Sequence, residues 1–129
     1  MPRYLSFADA APSTQRPVHA VLTSTAYKRL TVTGMPGLEL NGSLPDGLPA
    51  QAEQAFDNLM TTVATAGLTR EDIVRLVAYV VVPGSETLVQ SIAGSKLGAL
   101  RPALSVRHVN ALSQTGLLIE LDAEVIREN

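Results

Sequence analysis

Glu120, Asp122 and Glu124 occupy alternate positions in the stretch Leu117–Val125, with Leu117, Ile119, Leu121, Ala123 and Val125 between them. Side chains in a strand point to opposite faces with period two, so this pattern puts three carboxylates on one face and an apolar row on the other. A carboxylate on a face open to water is a solvation group. A carboxylate on a face that becomes covered can accept or donate a proton in a reaction. The other side chains with chemical capacity are few: His19, His108, the hydroxyl of Thr33 beside Gly34, and the cations Arg101 and Arg107. Asp122 and Glu124 read as structural, Arg107 as a surface or interface cation, and His108 as a surface or interface imidazole.

Composition removes several kinds of chemistry. There is no Cys, hence no disulfide, no thiolate zinc site and no cysteine nucleophile. The two histidines lack metal-ligand spacing, so a metal is not expected. Aromatic residues make up 4% with no Trp, too few for a base-stacking surface, and a net charge of −2 opposes phosphate binding, so nucleic acid is not an expected partner. No apolar run is long enough to cross a bilayer, and the N-terminal residues lack the apolar core of a secretory signal, which together point to a cytoplasmic protein without a membrane partner. With 129 residues, 46% hydrophobic and 17% charged, the chain has the size and composition of one globular domain, 1–129.

The elements that must position these groups can be read in order. Arg3–Phe7 suits a short strand and Asp9–Pro17 a loop. Val18–Thr23 and Arg29–Thr33 suit an antiparallel pair, the second closed by Gly34. Gly37–Pro49 holds turn chemistry in Asn41-Gly42 and Pro45-Asp46-Gly47. Ala52, Ala55, Phe56, Leu59, Met60, Val63 and Ala66 recur at spacings of three and four, which predicts a helix over Gln51–Ala66 with Gly67 at its C-terminal cap. Ile73–Val82 is a β-branched apolar run and predicts a covered strand. Ser85–Leu97 predicts a second helix capped by Ser85. The chain then predicts a closing hairpin, Ala103–Leu112 and Leu117–Val125, joined by the polar turn Ser113-Gln114-Thr115-Gly116.

Two one-sided helices can cover only one face of a sheet. The other face is expected to carry Thr31, Thr33, Glu120, Asp122 and Glu124 mixed with Leu104 and Val106. That mixture is too apolar for water and too charged for a core, and an oligomer that packs such faces together resolves the conflict.

The chain resembles the Rid family, also called YjgF. The resemblance spans Pro17 to Val125. It rests on Val32-Thr33-Gly34, Gln51-Ala52, Phe56-Asp57-Asn58-Leu59, Ala66-Gly67-Leu68, Asp72-Ile73-Val74, Arg101-Pro102-Ala103 and Ile119-Glu120-Leu121-Asp122-Ala123. It implies an α+β, chorismate-mutase-like mixed sheet with two helices on one face, and a homotrimer whose sheets form a central barrel with small-molecule sites in the intersubunit clefts. The activity it implies is hydrolysis of enamines and imines such as 2-aminoacrylate, without a cofactor. An Arg after the Pro-Ala pair grips the substrate carboxylate and a Glu on the last strand, here Glu120, handles the water.

This sequence departs from the pattern at the grip, where Leu104 follows Pro102-Ala103. Arg101 and Arg107 stand three residues away, an odd offset that directs them to the other face. The chain is therefore identified as a divergent member without the carboxylate-binding Arg. Leu104, Val106, His108 and Asn110 are expected to share a face near Glu120, an apolar setting that favours the neutral carboxyl and suits a general acid or base. The expected site is Glu120 as the catalytic group, with Thr33, Gly34, Leu104, Val106, His19 and His108 against the ligand. Three functions fit: deamination of an enamine or imine with a non-standard substrate; dehydration or cyclisation in a biosynthetic pathway with Glu120 as acid and base; or ligand binding by a non-catalytic trimer.

Overall fold

The structure is a computed structural model that describes residues 3–7, 19–24, 27–100 and 102–128. The expected loop over residues 9–17, the strand residue Val18 and Arg101 lie outside the described residues. In chain order the elements are β1 (Arg3–Leu5), β2 (Ala20–Ser24), β3 (Tyr27–Pro36), α1 (Leu48–Thr65), β4 (Ile73–Val80), α2 (Glu86–Leu97), β5 (Ala103–His108) and β6 (Ile119–Glu128), with a 3-10 turn at Arg70–Asp72 before β4. The strands form one sheet in the order β1-β2-β3-β6-β4-β5. Neighbours run antiparallel except β4 and β5, which are parallel. The fold is the expected α+β mixed sheet with two helices.

The expected closing hairpin is not formed. β6 inserts between β3 and β4, while β5 pairs only with β4 at the sheet edge. The physical reason is the connection available to each strand. A parallel neighbour needs a long crossover, and α2 supplies one between β4 and β5. β6, whose alternation is clean, can bury a complete apolar row while both its edges are paired. Ser113–Gly116 consequently belongs to a long connection between two strands that never meet.

Leu30 and Val32 of β3, Leu76, Ala78 and Val80 of β4, and Ile119, Leu121, Ala123 and Val125 of β6 turn toward the helices, where Phe56, Leu59 and Val63 of α1 and Val89 and Ile92 of α2 meet them in one core. Burying side chains of this size contributes about 1.5–3 kcal/mol each. α1 starts three residues earlier than its apolar stripe suggests, because Pro49 fits the first turn, where no amide donor is needed. α2 starts after Ser85, but the Ser85 hydroxyl donates to the Val82 carbonyl at 2.7 Å and makes no side-chain cap. No helix among the described residues is long and apolar enough to cross a membrane.

Register settles which residues share a face. Leu104, Val106 and His108 pair with Leu76, Ala78 and Val80, which are core residues, so all three stand on the helix side. The expected mixture of Leu104 and Val106 with the carboxylates is therefore not present within one chain. The open face carries Thr31, Thr33, Glu120, Asp122 and Glu124, joined by Arg75, Val77 and Tyr79 of β4 and Arg107 of β5. Arg29 on that face donates to Glu124 at 2.9 Å, as does the Thr31 hydroxyl at 3.2 Å.

Candidate functional site

Gly34 does not end its strand. It lies inside β3, where the register with β6 shifts between Val32 and Met35, and its φ of 62° is the left-handed conformation that favours glycine. The bulge turns the Gly34 amide and the Thr33 hydroxyl onto one carboxylate oxygen of Asp122, at 2.9 and 3.2 Å. Thr33 thus supports Asp122 rather than Glu120. Glu120 lies one step further along the open face of β6, opposite Pro36 on one side and Tyr79 on the other. A Cβ on Gly34 would come within 4.0 Å of Glu120 Oε2, so the space beside Gly34 borders the carboxylate.

That space belongs to a cleft of about 450 Å³. Phe7, Pro36, Leu38 and Leu117 provide its apolar walls; His19, Ser113, Gln114 and Glu120 provide its polar groups. The Ser113 hydroxyl donates to Glu120 Oε2 at 2.7 Å, a short charge-assisted bond. Among the described residues no protein group donates to the other oxygen of Glu120. His19 is 8% exposed, tilted against Phe7 with ring centroids 5.4 Å apart, and its Nδ1 lies 3.1 Å from the Ser6 hydroxyl. The strand pairing fixes it: the His19 amide donates to the Leu5 carbonyl and its carbonyl accepts from Thr33.

Both walls of the cleft are fastened to α1 by buried carboxamides. Gln51, 2% exposed, donates to the Pro45 and Gly116 carbonyls, each at 3.1 Å, and accepts from the Leu118 amide at 2.8 Å. Asn58, seven residues on and so on the same helix face, donates to the Pro36 and Leu38 carbonyls at 2.8 Å. Gly37 lies so close to the helix that a Cβ there would fall 2.1 Å from the Gln51 carbonyl oxygen. Two polar residues inside an apolar helical stripe were the sequence signal for this arrangement. Ser113 and Gln114 gave a weaker one, since a polar run between strands reads first as a turn.

Of the expected site residues, the structure brings Glu120, Gly34 and His19 into one cleft, with Thr33 at its margin. Leu104, Val106 and His108 lie elsewhere. Leu104 lines a separate hollow of about 260 Å³ between α2 and β5, with Gln90, Ala93, Gly94, Leu97 and Pro102. Val106 packs against the core, and exposed His108 donates from Nε2 to the Val81 carbonyl at 3.3 Å. Asn110 lies past the end of β5 in a third depression with Val81 and Leu118. The apolar setting expected for Glu120 is made by other residues than Leu104 and Val106, and it includes a hydroxyl donor. Among the described residues no group of three or more His, Asp or Glu is arranged to hold a metal ion.

The sequence profile described as endoribonuclease L-PSP matches residues 9–126. No curated protein matches the sequence. Among solved structures, Rv2704 of Mycobacterium tuberculosis, described as a member of the YjgF/YER057c/UK114 family, is 26% identical with a TM-score of 0.75, over 97% of this chain and 98% of that one. The YjgF gene product of E. coli is 24% identical with a TM-score of 0.81, over 98% and 99% of the two chains. RidA from the Antarctic bacterium Psychrobacter is 21% identical with a TM-score of 0.81, over 95% and 98%.

Proposed function

The chain belongs to the endoribonuclease L-PSP family, which includes proteins named YjgF and RidA, and from that premise we propose that it is a small-molecule enzyme that hydrolyses an imine or enamine lacking a carboxylate, with Glu120 as its acid-base group. The observation that carries this reading is Glu120 itself. One of its oxygens is held by Ser113 in an apolar-walled cleft that Gly34 also lines.

A protonated imine is already electrophilic at carbon, so the protein has to hold it and direct a water. Glu120 takes a proton from the attacking water as the new C–O bond forms. The resulting carbinolamine carries the former imine nitrogen as an amine. Glu120 returns the proton to that nitrogen, the C–N bond breaks to free ammonia, and the Glu120 carboxylate takes the hydroxyl proton as the carbonyl forms and passes it to the departing ammonia, so the proton brought by the protonated imine leaves as ammonium. The net reaction consumes one water and releases one ammonium and one aldehyde or ketone, with no redox change. General acid-base assistance of this kind supplies about 10²–10⁴-fold in rate.

Assembly is part of the proposal. The open face buries Val77 to 1% exposure yet leaves Arg107 and the acidic row of β6 at the surface. A homotrimer that joins these faces gives them partners, and it sets the β5 edge of one copy, with Leu104, against the cleft of the next. Leu104 then stands where a cation would grip a carboxylate, and supplies no donor. The family's endoribonuclease label is a poor guide to this cleft, since the side chain at its floor is an anion that repels phosphate.

The decisive assay couples ammonia release to imines made in place by two oxidases. An amine oxidase yields imines without a carboxylate, and an amino-acid oxidase yields imino acids. The protein should accelerate hydrolysis of the first group, and Glu120→Gln should lose about 10²–10⁴-fold of that acceleration. An unimpaired Gln variant removes Glu120 from the mechanism. Faster turnover of imino acids, 2-aminoacrylate included, refutes the proposed substrate class.

A further inference from the structure

We infer that Asn41 is a self-modifying site: in the folded protein its side-chain amide is lost by attack of the Gly42 backbone nitrogen, which leaves aspartate or isoaspartate at position 41. The inference is independent of the Glu120 cleft and stands whatever the protein binds or turns over.

The stretch Leu40-Asn41-Gly42-Ser43 lies outside every helix and strand, and Asn41, Gly42 and Ser43 are exposed. Three hydrogen bonds shape it. The Gly42 amide donates to the Glu39 carbonyl and the Glu39 amide donates to the Ser43 carbonyl, each at 2.9 Å. The Ser43 amide donates to Asn41 Oδ1, also at 2.9 Å. This last bond closes an Asx turn, a ring that contains both Asn41 Cγ and the Gly42 nitrogen and holds them on one side. It also polarises the carboxamide. When a nucleophile adds to Cγ, negative charge gathers on Oδ1, where the Ser43 amide already sits. Gly42 brings the nucleophile without a side chain to shield it, and a Cβ there would meet nothing among the described residues within 4 Å. One bond opposes the attack, since the Gly42 amide must first leave the Glu39 carbonyl. Opening an exposed turn of this kind costs far less than unfolding the domain.

The chemistry needs only water. Hydroxide takes the Gly42 amide proton as the nitrogen bonds to Asn41 Cγ. The adduct collapses, the Cγ–Nδ2 bond breaks, and Nδ2 leaves as ammonia with a proton from water, which restores the hydroxide. A five-membered imide remains. Water adding at Cγ breaks the new bond and gives aspartate. Water adding at the main-chain carbonyl of Asn41 breaks the old peptide bond and gives isoaspartate, with the chain running through the former side chain. Each event consumes one water, releases one ammonia and involves no redox change. It places a second carboxylate beside Glu39, and isoaspartate adds a carbon to the main chain of the turn that follows Leu38 of the cleft wall.

The chain carries its own controls. Asn110 is equally exposed and outside regular structure, but Ala111 follows it. Asn58 is buried in α1 and its Nδ2 is held by the Pro36 and Leu38 carbonyls. The full-length folded protein, aged in neutral buffer, is followed by peptide mapping with mass spectrometry at positions 41, 58 and 110. Position 41 should convert to a mixture of aspartate and isoaspartate while the other two keep their amides. Gly42→Ala, which sets a methyl beside the nitrogen, should lose most of the conversion. If that variant fails to fold, the wild-type chain unfolded in urea serves as the reference. Conversion in urea but not in the folded protein overturns the inference, because the Glu39 carbonyl then guards the Gly42 nitrogen. Retention of the amide in both overturns it as well. Aspartate without isoaspartate would show direct hydrolysis in place of the imide, and conversion of Asn110 at the same pace would remove Gly42 from the step; either result refutes the route proposed.

Discussion

Two hollows of this molecule lie at opposite sides of one sheet and differ in kind. The cleft at Glu120 forms where regular structure breaks: a bulge at Gly34, the end of β3 at Pro36, and the long connection before β6. Broken ladders expose backbone and polar side chains, and here these are organised by buried bonds to Gln51, Asn58 and Asp122. The hollow between α2 and β5 forms where regular elements simply fail to meet. It is walled by Leu97, Leu100, Pro102 and Leu104, and among the described residues Gln90 is its one polar side chain. The first can polarise a ligand; the second can only shelter apolar surface. Polar side chains gather where the backbone is irregular.

The largest effect that would sharpen this contrast is expected at Gln51. Gln51→Leu leaves the Pro45 and Gly116 carbonyls and the Leu118 amide without their partner. We expect a loss of about 3 kcal/mol in chemical denaturation, with the amide of Leu118 losing hydrogen-exchange protection. Unchanged stability would mean that the cleft wall is not held from α1.

Next comes the edge strand. Leu104→Arg adds a cation at β5 without touching Glu120. If the two regions meet only across a subunit boundary, this variant should gain hydrolysis of 2-aminoacrylate over wild type by the factor that one charge-assisted bond of about 1.5–3 kcal/mol supplies. Sedimentation should show a trimer for both proteins. A monomer at micromolar concentration would separate the hollows for good, and then no gain can occur.

A pair of glycines tests the same contrast more finely. Gly34→Ala forces a side chain into a left-handed backbone and should cost about 1–2 kcal/mol. Gly94 sits within α2 with open space around a new Cβ, so Gly94→Ala should stabilise the protein by about 1 kcal/mol. Melting temperatures moving in the same direction would contradict the distinction between a required irregularity and an incidental gap.

The smallest effect lies remote from both hollows. Burial opposes the charge on Asp72, but hydrogen bonds from Arg127, at 2.7 Å, and from the Thr69 amide outweigh it and hold this carboxyl below its ordinary range. The folded-state value is depressed, so the stabilisation is complete above the unfolded carboxylate range and is lost as pH falls through the folded value. Asp72→Asn should cost about 1 kcal/mol or less at neutral pH and nothing once wild-type Asp72 is protonated. Equal destabilisation at both pH values would show that charge is not what binds Arg127 there.

Much of this architecture was legible in the residues. The alternation in β6 identifies its core side as Ile119, Leu121, Ala123 and Val125, and the α1 stripe identifies Phe56, Leu59 and Val63 as buried. Periodicity is a local property of the chain, so it survives folding unchanged. The resemblance singled out Gly34 and Glu120 as candidates, and the structure places both along one cleft. What a period cannot encode is the identity of a strand's neighbour. A hairpin and a crossover leave the same alternation in the sequence, and only packing α2 over the sheet selects the parallel partner for β5 and opens the central position to β6. That choice turned Leu104, Val106 and His108 to the helix side, away from Glu120. The bond from Ser113 to Glu120 was equally out of reach, because it depends on how a long connection returns to the start of β6 once Gln51 has fastened it to α1.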